Sequence, residues 1–177
     1  MKVEQALASS RRMVRRVSAR LRAPENRSED LSGDPGEGGV ADAAVRLLVS
    51  SPLFDAAWYA EIAGCSSDPD RAARHYLRHG RRRGLWPHPL FVPERVASRA
   101  ASKVGVADPL VAYLQQRLFD VSPHPLFEVG SYVRAHPEAA AHEHGPLAHY
   151  VAHGAAAGWA PNRWFRPVPG RPGGLAD

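Results

Sequence analysis

The first 22 residues combine a narrow apolar stripe with a strongly basic remainder. Apolar side chains recur every three or four residues, a spacing that puts them on one face of an α-helix. The series is Val3, Leu7, Ser10, Val14, Val17 and Leu21, with Ser10 as its polar member. The flanking and opposite positions hold Arg11, Arg12, Arg15, Arg16, Arg20 and Arg22. The pattern predicts a separate basic amphipathic helix over residues 1–22.

Two other segments contain too few apolar residues for a packed core. Residues 23–40 include two prolines, four glycines and five acidic residues, which predicts a flexible acidic linker. Residues 166–177 are rich in proline and glycine, which predicts a disordered tail. The folded domain is therefore expected over residues 41–165, beginning with a helix from Ala41.

Within residues 41–165, aromatic positions repeat with a period of about 37 residues. Phe54, Phe91, Phe127 and Phe165 are spaced by 37, 36 and 38 residues, in the contexts SPLF, HPLF, HPLF and NRWF. A second series of landmarks, Tyr76, Tyr113 and Tyr150, has a spacing of 37 residues. Two series in register indicate an internal repeat, with units at about 54–90, 91–126 and 127–165.

Each unit has the pattern of two short helices. The first helix follows the phenylalanine, and the second begins at an Asp-Pro or Gly-Pro step and carries the tyrosine. Units of this size stack on their neighbours because they cannot bury their apolar faces alone. We therefore predict an all-α fold of three stacked helix pairs. Its structural landmarks are Phe54, Trp58, Tyr59, His75, Tyr76, Gly80, Phe91, Tyr113, Phe127, Tyr132, His149, Tyr150, Gly154 and Phe165.

Charge and cysteine content narrow the classes of function. Residues 1–22 hold seven of the 23 basic residues and one of the 18 acidic residues, so the rest of the chain is close to neutral. The single cysteine, Cys65, excludes an internal disulfide and a cysteine-based zinc site. No long apolar run or signal-peptide pattern is present, so we expect a cytoplasmic protein. The basic helix is suited to hold it at the inner face of the plasma membrane.

The repeat resembles a known sequence family. The string SPLFDAAWYAEIAG and the later HYLRHGRRRGLWPHPLF are similar to a repeat found beside bacterial glycosyltransferase and rhamnan-synthesis-type domains. The similarity covers about residues 51–165 and is strong in the first and third units. The second unit departs from it, because it lacks a histidine before Tyr113 and a glycine after the second helix. The resemblance implies a non-catalytic accessory module of cell-surface polysaccharide assembly, with a glycosyltransferase or another assembly protein as its partner.

Residues 68–70 contain the one string that suggests sugar transfer by this chain. Asp68-Pro69-Asp70 has the carboxylate spacing by which nucleotide-sugar transferases hold a metal ion and a diphosphate. It also opens a predicted helix, where Asp-Pro is favourable capping chemistry. No phosphate-binding glycine motif or nucleophile elbow accompanies it. We therefore expect no catalytic residues, no metal and no cofactor in this chain. A transferase fragment with a metal-binding Asp-Pro-Asp is the poorer alternative.

The histidines have a metal-binding and a structural interpretation. His75 and His79, like His149 and His153, have the i, i+4 spacing that can chelate zinc, and His136, His142 and His144 lie nearby in the third unit. The repeat pattern contains the same histidines, so hydrogen bonding between helices explains them without metal. We favour the structural interpretation.

The clustered arginines and the tryptophans each have a ligand-binding and a structural interpretation. Arg81, Arg82 and Arg83, near Trp86, are suited to bind phosphate or a carboxylated glycan, or to lie solvated at a helix C-terminus. The four tryptophans are suited either to stacking on sugar rings or to packing between units. They are Trp58, Trp86, Trp159 and Trp164.

Two hypotheses for function follow. The first is a helical-repeat interaction module of polysaccharide assembly, held at the membrane by its basic helix. The second is a nucleic-acid-associated protein that uses the arginines of residues 1–22 to contact phosphates. They differ in ligand, because membrane adsorption requires anionic lipid and the apolar stripe, whereas duplex binding requires neither.

Overall fold

A computed structural model of the protein describes residues 35–100 and 108–165. The predicted basic helix and C-terminal tail lie outside these ranges, as does most of the predicted linker. Those three assignments stay predictions. The described residues contain seven α-helices and no strand, which confirms the all-α class for this part of the chain.

The helices are short, except for the first. They are α1 (Pro35–Ser50), α2 (Ala56–Ala63), α3 (Pro69–His75), α4 (Pro93–Ala100), α5 (Pro109–Gln115), α6 (Val129–Ala135) and α7 (Gly145–His149). Helix α1 includes residues 35–40, which the sequence analysis placed in the linker. Helices α3 and α7 each continue into one π-helical turn, at Tyr76–Gly80 and Tyr150–Gly154. Short 3₁₀ turns occur at Arg81–Arg83 and Pro137–Ala141.

Aspartates begin three of these helices, as the sequence predicts. The Asp55 carboxylate accepts the Trp58 backbone N–H at 3.0 Å, and the Asp68 carboxylate accepts the Arg71 N–H at 2.9 Å. Asp108 accepts backbone N–H groups at the start of α5. Each bond satisfies a donor that the first helical turn leaves unpaired. Because Asp68 serves as a helix cap, capping accounts for the Asp-Pro-Asp string.

Helix α1 closes one side of the helical core. It packs against α3 and α5, while α2 packs on α3, α4 on α5, and α6 on α7. An ion pair of 2.7 Å between Asp42 and Arg74 joins α1 to α3, with both side chains partly exposed. Val45 and Leu48 provide the buried face of α1.

The core of the described chain is built largely from the predicted aromatic landmarks. Seven of them have at most 3% of their surface exposed, namely Tyr59, Tyr76, Phe91, Tyr113, Phe127, Tyr132 and Tyr150. Phe54 and Trp58 are also buried, whereas Phe165 is only partly so. Burial of these large rings removes apolar area from water and so favours folding.

Candidate functional site

Four turns share one hydrogen-bond pattern and contain the four phenylalanine contexts. Their first residues are Ser51, His88, His124 and Asn162. In every turn that side chain accepts the backbone N–H two residues ahead, at 3.2, 3.0, 3.1 and 2.9 Å respectively. The carbonyl of the same residue accepts the N–H of the phenylalanine three residues ahead. Serine, histidine and asparagine thus have one structural role here.

Sequence reasoning missed this role of His88 and His124. The available signal was that the four contexts all begin with a side chain that can accept a hydrogen bond. A histidine can accept a backbone N–H at Nδ1 only when that nitrogen is unprotonated. Burial, and secondarily the positive charge of Arg95, lower the pKa of His124 to about 4. The ring is therefore neutral at pH 7.

A backbone hydrogen bond links each of the first three turns to the next. The N–H that follows the phenylalanine donates to a distant proline carbonyl, and that proline immediately precedes the next turn. The pairs are Asp55 to Pro87 at 3.1 Å, Val92 to Pro123 at 3.0 Å, and Glu128 to Pro161 at 2.9 Å. Each bond therefore joins the start of one helix pair to the start of the following segment.

Two clusters, one around Tyr59 and one around Tyr132, have nearly the same geometry. In the first, the Tyr59 hydroxyl lies 2.8 Å from His75 Nδ1, and the His75 and His79 ring centroids are 5.2 Å apart. In the second, the Tyr132 hydroxyl lies 3.0 Å from His149 Nδ1. The His149 to His153 centroid distance is 5.3 Å. The predicted landmarks His75 and His149 are thus brought to equivalent positions beside a buried tyrosine.

A glycine is required beside each of these tyrosines. A Cβ atom at Gly80 would overlap the Tyr59 hydroxyl, and a Cβ atom at Gly154 would lie 2.6 Å from the Tyr132 hydroxyl. Atoms this close cannot coexist without movement of the tyrosine or the helix. Gly80 and Gly154 therefore allow the π-helical turn to pack directly on the phenol.

The middle of the chain departs from this arrangement. Tyr113 packs on Phe91 and Phe119, with centroid distances of 5.5 and 5.3 Å, and it has no histidine partner. Arg117, two residues after the end of helix α5, has a positive φ of 50°. The Arg117 guanidinium lies 4.8 Å from the centre of the Phe119 ring. These differences match the sequence deviations of the second predicted unit.

The cluster around Tyr132 contains additional imidazoles and a tryptophan. Trp159 stacks on His136 at a centroid distance of 4.0 Å and lies 5.7 Å from His149. His142 lies 5.6 Å from His149 and 6.2 Å from both His144 and His153. Desolvation, followed by repulsion from neighbouring histidines, lowers the pKa of His142 and His149. Both shifts favour the neutral forms of His142 and His149. Trp159 stacks on His136 and His149, whereas His142, His149 and His153 meet edge to face.

These histidines are not arranged as a metal centre. Among the residues with described positions, no group of three or more histidine, cysteine, aspartate or glutamate side chains is placed to hold a metal ion. In both clusters one histidine, His75 or His149, has its Nδ1 within hydrogen-bond distance of a tyrosine hydroxyl. The hydrogen bond leaves only Nε2 of that ring available to a ligand.

The π-helical turn beside Tyr59 carries a concentrated positive charge. Arg78 and His79 are exposed within this turn, and the partly buried His75 precedes it. The 3₁₀ turn that follows adds the exposed Arg81, Arg82 and Arg83. The charge of Arg83 contributes to lowering the pKa of His75, after burial of the ring and the charge of His79. We refer to Arg78, Arg82, Arg83, His75 and His79 as the arginine surface.

The four tryptophans occupy different environments. Trp58 is buried, and Trp86 and Trp159 pack against the core while retaining partial exposure. Trp164 is 80% exposed, and the Arg163 guanidinium lies 5.1 Å from the centre of its ring. Packing therefore accounts for Trp58 and for much of Trp86 and Trp159.

Comparisons with known proteins do not identify a family for this chain. No helix in the described parts of the chain is long and apolar enough to cross a membrane. No protein family, curated protein or solved structure matches the chain.

Proposed function

We propose that residues 54–165 are three stacked helix-pair units that form an interaction module of cell-surface polysaccharide assembly. The repeated hydrogen bond from the start of each helix pair to the proline before the next turn supports the stacking. The resemblance of the repeat to glycosyltransferase-associated sequences supports the biological setting. The partner is a glycosyltransferase or another polysaccharide-assembly protein.

The two tyrosine clusters have similar geometry, which supports an interaction role and not a catalytic one. In both clusters the tyrosine and histidine hydrogen-bond to each other and are packed by a glycine, so their polar atoms serve structure. Burial raises the pKa of Tyr59 and Tyr132 well above the usual range, so neither phenol ionises near pH 7. A catalytic acid or base instead needs a pKa near the working pH.

The basic helix predicted over residues 1–22 completes the proposal. Its arginines and its Val/Leu stripe hold the module at the anionic inner face of the plasma membrane. This places the helical units beside enzymes that act at that membrane. The nucleic-acid hypothesis predicts instead that the same arginines bind duplex DNA.

Cross-linking in the cell that encodes the protein tests the proposal. A photo-reactive residue is placed at exposed position Arg134 or Arg46 of the full chain, and cross-linked partners are identified by mass spectrometry. We expect a glycosyltransferase or another polysaccharide-assembly enzyme at one of these positions. Cross-links confined to nucleic-acid-binding proteins would contradict the proposal and favour the second hypothesis.

A further inference from the structure

Most of the arginine surface lies on a backbone segment that has a structural counterpart later in the chain. The counterpart contains no arginine. Residues Gly80–Gly84 read GRRRG, and residues Gly154–Gly158 read GAAAG. Both segments follow a π-helical turn beside a tyrosine–histidine pair. The counterpart of Arg78 in the second segment is Ala152.

The two segments form equivalent backbone hydrogen bonds. The N–H after each first glycine donates to the carbonyl of Tyr76 or Tyr150. The N–H after each second glycine, from Leu85 or Trp159, donates to the carbonyl of Gly80 or Gly154 at 2.9 Å. The second glycines, Gly84 and Gly158, have φ of 65° and 73°. Alanine side chains are therefore sufficient for this fold, and the arginines are not needed to form it.

Within the described part of the chain, the three arginines of the arginine surface differ from Arg74 in their ion pairing. In the described ranges, Arg78, Arg82 and Arg83 form no ion pair, whereas Arg74 is paired with Asp42. The Tyr59 hydroxyl and His75 Nδ1 are hydrogen-bonded at 2.8 Å, so Nε2 is the ring nitrogen that remains for a ligand. The surface therefore presents the N–H donors of three exposed guanidinium groups, which is the chemistry that binds carboxylates.

We propose that the arginine surface binds the carboxylate groups of an acidic polysaccharide. The choice of a polysaccharide as the ligand rests on the proposed function. The choice of this surface as the binding site rests on the comparison of GRRRG with GAAAG. Three arginines offer few phosphate contacts, whereas duplex DNA binding commonly uses about six to ten. A chain of uronate sugars needs only one or two carboxylates engaged at a time.

Equilibrium binding of the full chain to polygalacturonate tests the proposal, with dextran as the neutral polymer. The test variant is Arg78→Ala/Arg82→Ala/Arg83→Ala, which introduces the alanines found at the equivalent positions in and before the second segment. The control variant is Arg46→Ala/Arg99→Ala/Arg134→Ala, which removes the same charge from exposed positions elsewhere. We expect affinity for polygalacturonate to fall about tenfold or more in the test variant and less than about twofold in the control.

Three results would overturn the proposal. One is an equal loss of affinity in both variants, which indicates a general charge effect. Another is full affinity in the test variant. The third is a larger loss for duplex DNA or anionic vesicles than for polygalacturonate. Thermal unfolding of both variants verifies that they fold. Repeating the comparison with Arg11, Arg12, Arg15 and Arg16 changed to Gln removes any contribution from residues 1–22.

The outcome is separable from that of the proposed function. If the full chain binds polygalacturonate through this surface but cross-links to no assembly enzyme, the proposed function fails and the binding site stands. If the assembly enzyme is found but the test variant binds as well as the wild type, only the present inference fails.

Discussion

Replacing His124 by asparagine should remove one acid-sensitive component of the stability. The neutral His124 ring accepts the Leu126 N–H at Nδ1, and protonation would replace that acceptor with a donor. Asn162 accepts the equivalent N–H of Trp164 at 2.9 Å with a side chain that does not titrate. The turn at Asn162 therefore shows how the turn at His124 can form with asparagine in place of histidine.

The pKa of His124 sets the size and direction of the effect. The folded-state pKa of about 4 lies below the ordinary value of 6.5, so the unfolded chain binds the proton more tightly. This contribution to stability is complete above about pH 6.5 and is lost as the pH falls toward 4. The loss is at most about 3 kcal/mol, and solvent screening lowers it.

Urea unfolding followed by far-UV circular dichroism measures the effect. At about pH 7.5 we expect His124→Asn to cost about 1 kcal/mol, because asparagine keeps the acceptor and loses part of the ring packing. We expect this difference to shrink or reverse at about pH 4.5, because there the unfolded wild-type chain binds a proton at His124 that the unfolded variant cannot bind. His124→Ala is the matched control, which lacks the acceptor and should cost about 1 to 3 kcal/mol more than asparagine at neutral pH.

Two outcomes would refute the reasoning. If His124→Asn keeps the full acid dependence of the wild type, protonation elsewhere causes it, for example at His142 or His149. If alanine and asparagine are equally stable at neutral pH, the Nδ1 acceptor has no energetic importance in the turn.

Four further predictions concern packing and the N-terminal helix. Phe91→Ala should lower the free energy of unfolding by about 3 to 5 kcal/mol in urea titrations, because the ring is fully buried. Gly154→Ala should cost about 1 to 3 kcal/mol by the same measurement, since its Cβ would overlap the Tyr132 hydroxyl. In contrast, Gly130→Ala meets only Arg134 at 3.6 Å and should gain up to about 1 kcal/mol. Deleting residues 1–22 should leave the thermal midpoint nearly unchanged but abolish adsorption to anionic vesicles, because each basic residue contributes about 1 kcal/mol there. Unfolding of the deleted protein would show that the segment packs on the domain.

Much of the fold was predictable because its signals are local. Asp55, Asp68 and Asp108 precede helices in the sequence and cap them in the structure. Large rings recurring with a fixed period had to be buried, and most of them are. The i, i+4 spacing of the histidines likewise predicted that His75 and His149 lie on a helix face.

The remaining features depend on distant residues or on backbone detail. That Tyr59 bonds to His75 follows from how α2 packs on α3, which spacing alone does not specify. The π-helical turns arise where Gly80 and Gly154 pack on a phenol, and helical periodicity does not distinguish such a turn from an α-helix. The start of α1 at Pro35 was missed because its glycines resemble a linker.

Deletion of the gene in its own host tests whether the protein takes part in polysaccharide assembly. Cell-surface polysaccharide is quantified in the deletion strain, in the strain complemented with the full chain, and in the strain complemented with the Arg78→Ala/Arg82→Ala/Arg83→Ala variant. We expect the polysaccharide to be reduced or shortened by deletion and restored by the full chain. Unchanged amount and length of the polysaccharide after deletion would contradict a role in its assembly.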